Sequence, residues 1–343
     1  CMDLSVKIGS LTLKNPLILS SAGYTANAAG IQKFVQRGFG AVVCKTVTRE
    51  PKEGAPAPRI FWYDPDKKTM LSGAEALRNP GAEKMAEAIS ESRKLADENN
   101  CLIVGSLSGN SIEEMVEIAE MLWKAGAHVI EIDMACPSTG PHLGPGYDRL
   151  GMYWAETTER AIEVIGAVRS AIDVPLWIKA PLGKILSPEW LKGLEGDAAP
   201  EALSYVGGRI PCLVINTDTG EPLLPGNLRL KMEKGYPITP MVTGPVGPST
   251  VFHTSYAVQL TDIPLIPTGG LETGNDIIQA IMAGAYAAGI CKAIYRDQKA
   301  SFEILSEIEA YCRDKNVKDI SDLRGVVLKH LPAPPLYRPQ MVW

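Results

Sequence analysis

The sequence predicts a (β/α)8 barrel, a TIM barrel, that occupies residues 1–343 as a single domain. Short runs rich in β-branched residues alternate with longer amphipathic stretches, which is typical of βαβ units with a parallel sheet. Eight such units follow one another, and their strands are almost continuously apolar, as expected when helices cover both faces of a sheet. An open doubly wound sheet is the alternative architecture.

The candidate strands lie between the amphipathic stretches, in the order Pro16–Ser20, Ala41–Lys45, Cys101–Ser106, His128–Asp133, Pro175–Lys179, Cys212–Asn216, Pro264–Pro267 and Tyr286–Ile290. The clearest helices are predicted over Ala82–Asp97, Ser111–Ala125 and Ala155–Ile172. Ser111 followed by Glu114 has the spacing of a capping box, in which the two side chains bond to free N–H groups at the start of a helix.

The remaining segments form the two ends of the chain and two long loops. Val6–Asn15, with Gly9 at a turn, predicts a hairpin that closes the barrel floor. The proline-rich tail, residues 331–343, cannot form a regular helix or a central strand. Met134–Trp154 follows the fourth strand and Thr217–Asp262 follows the sixth. Because loops that follow barrel strands lie on the catalytic face, we expect these two loops to decide substrate choice.

The composition excludes several classes of protein. Lys and Arg total 34 against 39 Asp and Glu, so the net charge is −5, which disfavours binding to nucleic acid. No stretch reaches the roughly 18 apolar residues of a membrane span, and Cys1–Ser10 has no apolar core of a signal peptide. The seven cysteines form no C-x-x-C pair. We therefore expect free thiols, no metal site and a cytoplasmic protein.

Two lysines end candidate strands, Lys45 in VVCKT and Lys179 in WIKAP. A lysine in this position projects into the barrel mouth, where a cation can stabilise anionic charge on a bound molecule. An ordinary solvated lysine is the alternative, but both residues follow apolar runs, which is unusual for a surface charge.

Thr268–Gly270 and Gly289–Lys292 end strands seven and eight, where barrels commonly bind phosphate. Glycines let backbone N–H groups approach a phosphate closely, and the N-terminus of a following helix adds to the attraction. Turn formation alone is the alternative explanation for the glycine pair.

Cys136 lies in EIDMACPSTGP, just past strand four. A thiol in this place can act as a general base if its pKa falls from about 8.5 towards the working pH. An inert, packed cysteine is the alternative, and the polar residues that follow favour an exposed thiol. Asn216 and Thr217, predicted to follow strand six, offer an amide and a hydroxyl suited to orienting a polar substrate or ring.

Several motifs in the chain occur in the order found in a known family, namely LTLKNPLILSSAG, CKTVTREPKEGAPAPRI, LRNPG, IDMACPSTG, VPLWIKAP, LVINTDTG, TGPVGP and IPTGGLETGNDIIQAIMAGA. On these motifs most of the chain resembles the dihydroorotate dehydrogenase family of FMN-dependent barrels, in particular its soluble class. It is also similar to the related domain of dihydropyrimidine dehydrogenase. The resemblance implies a homodimeric oxidoreductase of pyrimidine metabolism that binds FMN and acts on a C–C/C=C bond next to a carbonyl.

The resemblance also implies roles for individual residues. The isoalloxazine would be contacted by Ala22, Gly23, Lys45, Thr46, Asp133, Lys179 and Asn216. The phosphate would be held at Gly244, Gly269, Gly270, Cys291 and Lys292. Lys179 would place positive charge near flavin N1, where reduced flavin carries negative charge. Cys136, assisted by Lys45, would remove a proton while hydride passes to flavin N5.

The positions that would recognise the substrate depart from the family pattern. The soluble class surrounds orotate with asparagines, but three of these positions are Gly73, Asp133 and Ser138 in this chain. Only Asn216, with Thr217, matches the pattern. Each lost amide leaves a substrate group unpaired at a cost of about 1–3 kcal/mol, and an ionised Asp133 would repel an anionic orotate.

Four functions are compatible with these residues. The first two are a dihydroorotate dehydrogenase and a flavin dehydrogenase or reductase for another cyclic or unsaturated carbonyl compound, such as a dihydropyrimidine or a cyclic enone. The others are a flavin-free lyase with Lys45 or Lys179 as Schiff base, and a non-catalytic FMN-binding subunit in which Cys136 only packs. The chain has no G-x-G-x-x-G fingerprint, so NAD(P)H would need a separate electron-transfer partner or a transient visit to the flavin.

Overall fold

The computed structural model describes residues 2–54, 57, 59–72, 75–137, 146–196, 199–208, 210–211, 215–220, 241–243 and 246–332. Its first element is an antiparallel hairpin of β1 (Val6–Ile8) and β2 (Leu11–Leu13). Gly9 turns the hairpin at φ +57°, and a side chain there would press on Glu201, which directly precedes a barrel strand. The hairpin therefore packs against the barrel floor, as predicted.

A closed barrel of eight parallel strands forms the centre of the protein. Around the barrel the strands are β3 (Leu17–Leu19), β4 (Ala41–Val43), β7 (Leu102–Leu107), β8 (Val129–Asp133), β9 (Leu176–Lys179), β10 (Ala202–Val206), β13 (Leu265–Thr268) and β14 (Ala288–Ile290). β14 pairs with β3 and closes the sheet. The prediction of a (β/α)8 barrel is confirmed, and an open doubly wound sheet is excluded because the barrel sheet has no edge.

Helices alternate with the strands and pack on the outside of the barrel. They are α1 (Ala28–Val35), α2 (Ala82–Glu98), α3 (Ile112–Lys124), α4 (Met152–Ala155), α5 (Thr158–Ala171), α6 (Leu182–Ile185), α7 (Pro188–Gly193), α8 (Gly247–Ala257), α9 (Gly274–Met282), α10 (Lys292–Arg296) and α11 (Ala300–Asp314). Ser111 caps α3 by accepting the N–H of Glu114 at 3.1 Å. The predicted helix Ala155–Ile172 is divided, because Thr157 caps a new helix at α5.

The predicted position of strand six is wrong. The sixth barrel strand is β10, which pairs with β9 and β13, and not Cys212–Asn216. Ser204 interrupts the apolar run of β10 and hides the strand in the sequence. Ile215 is 50% exposed, which is incompatible with a barrel strand, and residues 212–214 lie outside the described residues.

The two predicted loops are also partly corrected. The segment Thr217–Asp262 contains α8, which the sequence pattern missed because many of its residues are β-branched or small and have low helix propensity. The segment Met134–Trp154 is largely irregular where it is described and ends in α4. Residues 138–145 of this loop, and residues 333–343 of the proline-rich tail, lie outside the described residues.

A second sheet, not predicted from the sequence, connects two loops on the face where the barrel strands end. It contains β5 (Ile60–Trp62), β6 (Met70–Ser72), β11 (Ile210–Pro211) and β12 (Met241–Thr243) in the order β11-β12-β6-β5. All its pairs are antiparallel. The sheet therefore joins the loop after β4 to the loop after β10, on the side of the barrel that carries the candidate site.

The five described cysteines, namely Cys44, Cys101, Cys136, Cys291 and Cys312, form no disulfide bond with one another. Among the described residues, no helix combines the length and the apolar character that crossing a membrane requires.

The corrected strand assignment predicts a difference in stability between two alanine variants. Leu203 is fully buried in β10, so Leu203→Ala should lower the free energy of unfolding by about 2–5 kcal/mol through a cavity. Ile215→Ala, at the exposed position of the wrongly predicted strand, should change it by less than about 0.5 kcal/mol. Urea unfolding of both variants checks this, and equal losses would contradict the assignment.

Candidate active site

The ends of the fourth and fifth barrel strands, β8 and β9, carry a buried ion pair. Asp133 is the last residue of β8, Lys179 is the last residue of β9, and the register places them opposite each other. Lys179 Nζ lies 3.2 Å from Asp133 Oδ2, and the two side chains are 20% and 4% exposed. The pair lies at the barrel mouth because both residues end adjacent parallel strands.

The protonation states of this pair follow from competing effects. Burial would raise the pKa of Asp133, but the ammonium of Lys179 and several hydrogen bonds hold it below its ordinary value of 3.8. Burial would lower the pKa of Lys179, but the carboxylates of Asp133 and Glu131 outweigh it and raise that pKa. Both groups are therefore charged at neutral pH.

Asp133 also positions Cys136. Asp133 Oδ1 accepts the N–H of Cys136 at 3.1 Å and that of the preceding residue at 2.9 Å. The carbonyl of Cys136 accepts the N–H of Met152 at 2.9 Å. Gly151, at φ +53°, packs so closely that any side chain there would overlap this carbonyl. The backbone of half-buried Cys136 is consequently held beside the ion pair from both sides of the loop.

Hydroxyl groups connect the ion pair to the neighbouring strands. Thr46 Oγ1 donates to Asp133 Oδ2 at 3.1 Å, and the N–H of Thr46 donates to Ser21 Oγ at 3.0 Å. Ser106 Oγ lies 2.9 Å from Thr46 Oγ1 and donates to Glu131 Oε1 at 3.1 Å. These bonds link the ends of the first four barrel strands into one polar network.

Glu131 is a second buried carboxylate, two residues before Asp133 on β8 and 2% exposed. It also accepts the hydroxyl of Ser204 at 2.6 Å. Burial raises the pKa of Glu131, and the charge of Lys179 and the hydroxyl donors only partly offset this effect. Sequence analysis did not select Glu131, although a glutamate inside the apolar run VIEID was an available signal.

Lys45 forms a second ion pair at the mouth. Its Nζ lies 3.1 Å from Glu75 Oε2, and the side chains are 12% and 27% exposed. The N–H of Lys45 donates to the carbonyl of Thr25 at 3.1 Å. This bond connects the end of the second barrel strand, β4, to the turn Gly23–Thr25, which follows Ala22. Glu75 was also missed, although it lies just before the LRNPG motif.

Glycines bring backbone segments close together where the sixth and seventh barrel strands, β10 and β13, end. This region is called the glycine cradle. Gly269 and Gly270 have φ of +108° and +70°, which residues with side chains rarely adopt. A Cβ on Gly270 would overlap the backbone nitrogen of Gly247, the first residue of α8, and one on Gly269 would lie 3.0 Å from the nitrogen of Gly208. Only glycine lets the backbone segments approach one another this closely, and backbone N–H groups without side chains around them are suited to contact a phosphate. Gly244 lies outside the described residues.

Cys291 and Lys292 follow β14, the strand that pairs with β13 next to Thr268 and the glycine cradle. The side chain of Lys292 is 3% exposed, pairs with Glu272 and donates to the carbonyl of Lys68. Its ammonium is thus bound by protein groups, and its backbone is the part suited to contact a phosphate. Burial, and after it the neighbouring Cys291, raise the pKa of the Tyr24 phenol.

The structure brings many of the predicted site residues together and separates others. Those joined by the contacts above at the strand ends are Ala22, Gly23, Lys45, Thr46, Asp133, Cys136 and Lys179. Asn216 and Thr217 do not directly follow the sixth strand, because β10 ends at Val206 and Gly207 comes next. Asn216 Oδ1 instead accepts the N–H of Asp218 at 2.9 Å in a turn. Gly73 and Ser138 lie outside the described residues.

Fold and site together define a (β/α)8-barrel protein with a polar, enzyme-like site at the ends of its strands. The family model for dihydroorotate dehydrogenase matches residues 3–311. The chain therefore belongs to the dihydroorotate dehydrogenase family, which is a family of oxidoreductases.

Three curated relatives are similar over nearly their whole length. The dihydroorotate dehydrogenase B (NAD(+)) catalytic subunit of Geobacillus sp. (strain WCH70) is 27% identical, with 94% of this chain and 95% of the relative covered. That of Methanocella arvoryzae is 29% identical, with 92% and 95% covered. Dihydroorotate dehydrogenase A (fumarate) of Lactobacillus helveticus is 29% identical, with 95% and 99% covered.

A solved structure supports the fold. The crystal structure of the Eimeria tenella enzyme DHODH in complex with ferulenol has a TM-score of 0.71 at 20% identity, and covers 96% of this chain and 89% of that one.

The raised pKa of Glu131 predicts a pH-dependent stability difference. Below its ordinary pKa of 4.5 the carboxyl is neutral in folded and unfolded chains, and its stabilising contribution is lost as the pH rises through the raised folded pKa. Glu131→Gln, which keeps the hydrogen-bonding shape, should therefore unfold at higher urea than the wild type near neutral pH. The difference should shrink towards pH 4.5.

The control for this comparison is Glu163→Gln, which changes an exposed carboxylate on α5 and should alter stability by less than about 0.5 kcal/mol at any pH. A Glu131→Gln variant that is less stable than the wild type at neutral pH would contradict the raised pKa.

Proposed function

We propose that this chain is an FMN-dependent oxidoreductase that acts on a C–C/C=C bond next to a carbonyl, with Cys136 as the acid/base. The observation that carries the proposal is the placement of Cys136. Its backbone is bonded to Asp133 (3.1 Å), which is itself paired with Lys179. A thiol held at a barrel mouth beside a cation is suited to transfer a proton.

The phosphate end of FMN would lie at the glycine cradle, where Gly269 and Gly270 leave their backbone free of side chains and both have positive φ. The backbone at Cys291 and Lys292, and Gly244, would complete this end. Ala22 and Gly23 would lie along the isoalloxazine, with Lys45, Thr46 and Asp133 near its polar edge. FMN, when bound, would supply a hydride acceptor at N5.

The side chains of the site would carry out proton removal, charge stabilisation and orientation. The thiolate of Cys136 would remove a proton from the carbon next to the one that loses hydride, so that no free carbanion forms. The ammonium of Lys179 would stabilise negative charge near N1 of the ring system, and Lys45 would orient the ring and substrate from the end of the second barrel strand. Asp133 would hold Cys136 and Lys179 at a constant separation, which favours reaction by orientation.

The chain is also proposed to act with a separate electron-transfer partner and as a homodimer in the cytoplasm. Two of the relatives described above are named as catalytic subunits of NAD(+) enzymes, and this chain has no dinucleotide fingerprint of its own. The homodimer rests on the family resemblance.

The glycine cradle predicts the effect of one substitution on cofactor retention. Gly270→Ala should lose FMN, because its Cβ would overlap Gly247 and its φ of +70° disfavours a side chain. Gly166→Ala on α5, where a Cβ meets nothing within 4 Å, should retain wild-type FMN. Flavin released from each purified protein by denaturation measures this. Full FMN content in a Gly270→Ala protein would contradict the assignment of the phosphate site.

The acid/base role predicts the effect of removing the thiol. Cys136→Ala should slow anaerobic flavin reduction by a dihydropyrimidine about 10²–10⁴-fold, while reduction by dithionite stays unchanged. Cys312→Ala, on α11 and away from the strand ends, is the matched control and should react as the wild type does. Equal rates in Cys136→Ala and wild type would rule out the role. A flavin that no member of a panel of dihydropyrimidines and cyclic enones reduces or reoxidises would favour a non-catalytic FMN-binding subunit.

A further inference from the structure

Four oxygen-bearing side chains form a continuous row from the interior of the barrel to its mouth. Glu131 Oε1 lies 3.1 Å from Ser106 Oγ, and Ser106 Oγ lies 2.9 Å from Thr46 Oγ1. Thr46 Oγ1 lies in turn 3.1 Å from Asp133 Oδ2. Each of the four residues is at most 3% exposed, so the three contacts are shielded from solvent.

The number of protons in this row follows from its hydrogen bonds. Each hydroxyl carries one proton, so Ser106 and Thr46 together supply two protons for three contacts. If both hydroxyls donate to a carboxylate, the 2.9 Å contact between them has no proton and brings oxygen lone pairs together. Ser21 does not change this count, because its hydroxyl lies 3.4 Å from Thr46 Oγ1 and outside the row. A third proton on one of the carboxyl groups makes all three contacts hydrogen bonds.

The surroundings of the two carboxyl groups place the third proton on Glu131. Asp133 accepts the ammonium of Lys179 and two backbone N–H groups, which stabilise a carboxylate. The other oxygen of Glu131 accepts the hydroxyl of Ser204 at 2.6 Å, which compensates a negative charge less than an ammonium does. Burial raises the pKa of Glu131, and the charge of Lys179 only partly offsets the rise. The carboxyl proton on Oε1 then faces Ser106.

We propose that Ser106 and Thr46 form a proton wire, a chain of hydrogen bonds along which one proton moves between Glu131 in the barrel interior and Asp133 at the mouth. In this transfer the O–H bond of Glu131 breaks as Ser106 Oγ gains the proton. Ser106 passes its own proton to Thr46, and Thr46 passes its own to Asp133 Oδ2. Glu131 is then ionised and Asp133 is neutral, and the three hydrogen bonds are kept with their directions reversed.

Lys179 stabilises both end states of the wire. Burial would lower the pKa of Lys179, but the carboxylates of Asp133 and Glu131 raise it. The negative charge that moves from Asp133 to Glu131 therefore stays in the field of the same cation. Lys179 is 20% exposed and connects the wire to solvent at the mouth. The wire would exchange a proton for the acid/base chemistry of the site, and its use in this chemistry rests on the proposed function.

Infrared spectroscopy of the purified chain at neutral pH tests the proton on Glu131. A protonated carboxyl group has a carbonyl stretch that a carboxylate lacks, so a band of the wild type should be missing from Glu131→Gln. The control is Glu163→Gln, which changes an exposed carboxylate on α5 and should keep the band. Spectra of the wild type and Glu131→Gln without this difference would overturn the inference.

Exchange of this proton for deuterium tests the path. After transfer into D2O, the Glu131 band shifts at the rate at which the carboxyl proton reaches solvent. Thr46→Val keeps the side-chain shape without a hydroxyl, so the proton must wait for local opening and exchange should slow by about 10-fold or more. Ser106→Ala, an independent interruption of the wire, should slow exchange similarly. Thr46→Ser restores the hydroxyl and should exchange as the wild type does, whereas mere loosening of the barrel would speed exchange.

Ser204→Ala is the matched control for the route, because Ser204 bonds to the other oxygen of Glu131 and is more exposed than Ser106. It should exchange as fast as the wild type. Exchange that slows in Ser204→Ala but not in Thr46→Val would overturn the wire, as would unchanged exchange in both Thr46→Val and Ser106→Ala. Melting temperatures verify that each variant is folded. Neither measurement uses FMN, so a failure of the proposed function leaves both tests in place.

Discussion

The ion pair of Lys179 with Asp133 is the constraint on which the arrangement of the barrel mouth depends. The two residues end adjacent parallel strands, so the barrel's own hydrogen-bond register brings a cation and an anion together in a largely dry place. Breaking a pair of this kind leaves a buried charge, at a cost of about 3–5 kcal/mol. The pair therefore keeps both side chains charged and in position even though burial opposes charge on each.

The fixed position of the Cys136 backbone depends on that ion pair. Because Asp133 is held by Lys179 and Thr46, its other oxygen is in place to bind the backbone of Cys136, and the loop after strand four begins in a defined direction. Lys45 and Glu75 form a second ion pair at the barrel mouth. A site assembled in this way is preorganised, because its charged side chains are already held by partners of the chain.

Backbone atoms and side chains form different parts of the strand-end site. The glycine cradle at Gly269 and Gly270 uses backbone groups, which tolerate changes in neighbouring side chains such as those of Cys291 and Lys292. The polar network at the other strand ends consists of side chains, so a substitution there changes its charges and hydrogen bonds directly.

The sequence by itself determined the barrel, seven of its strands, the floor hairpin and the strand-end lysines, because apolar periodicity and strand-end placement are local properties. Strand six was missed because Ser204 interrupts β10, and this serine is tolerated only because Glu131 on another strand accepts its hydroxyl. The partners of Lys45 and Lys179 also required the tertiary structure. Glu75 is thirty residues from Lys45 along the chain, and no local pattern states which carboxylate neutralises which lysine, because the pairing of β8 with β9 and the folding of the loop after β4 bring the partners together.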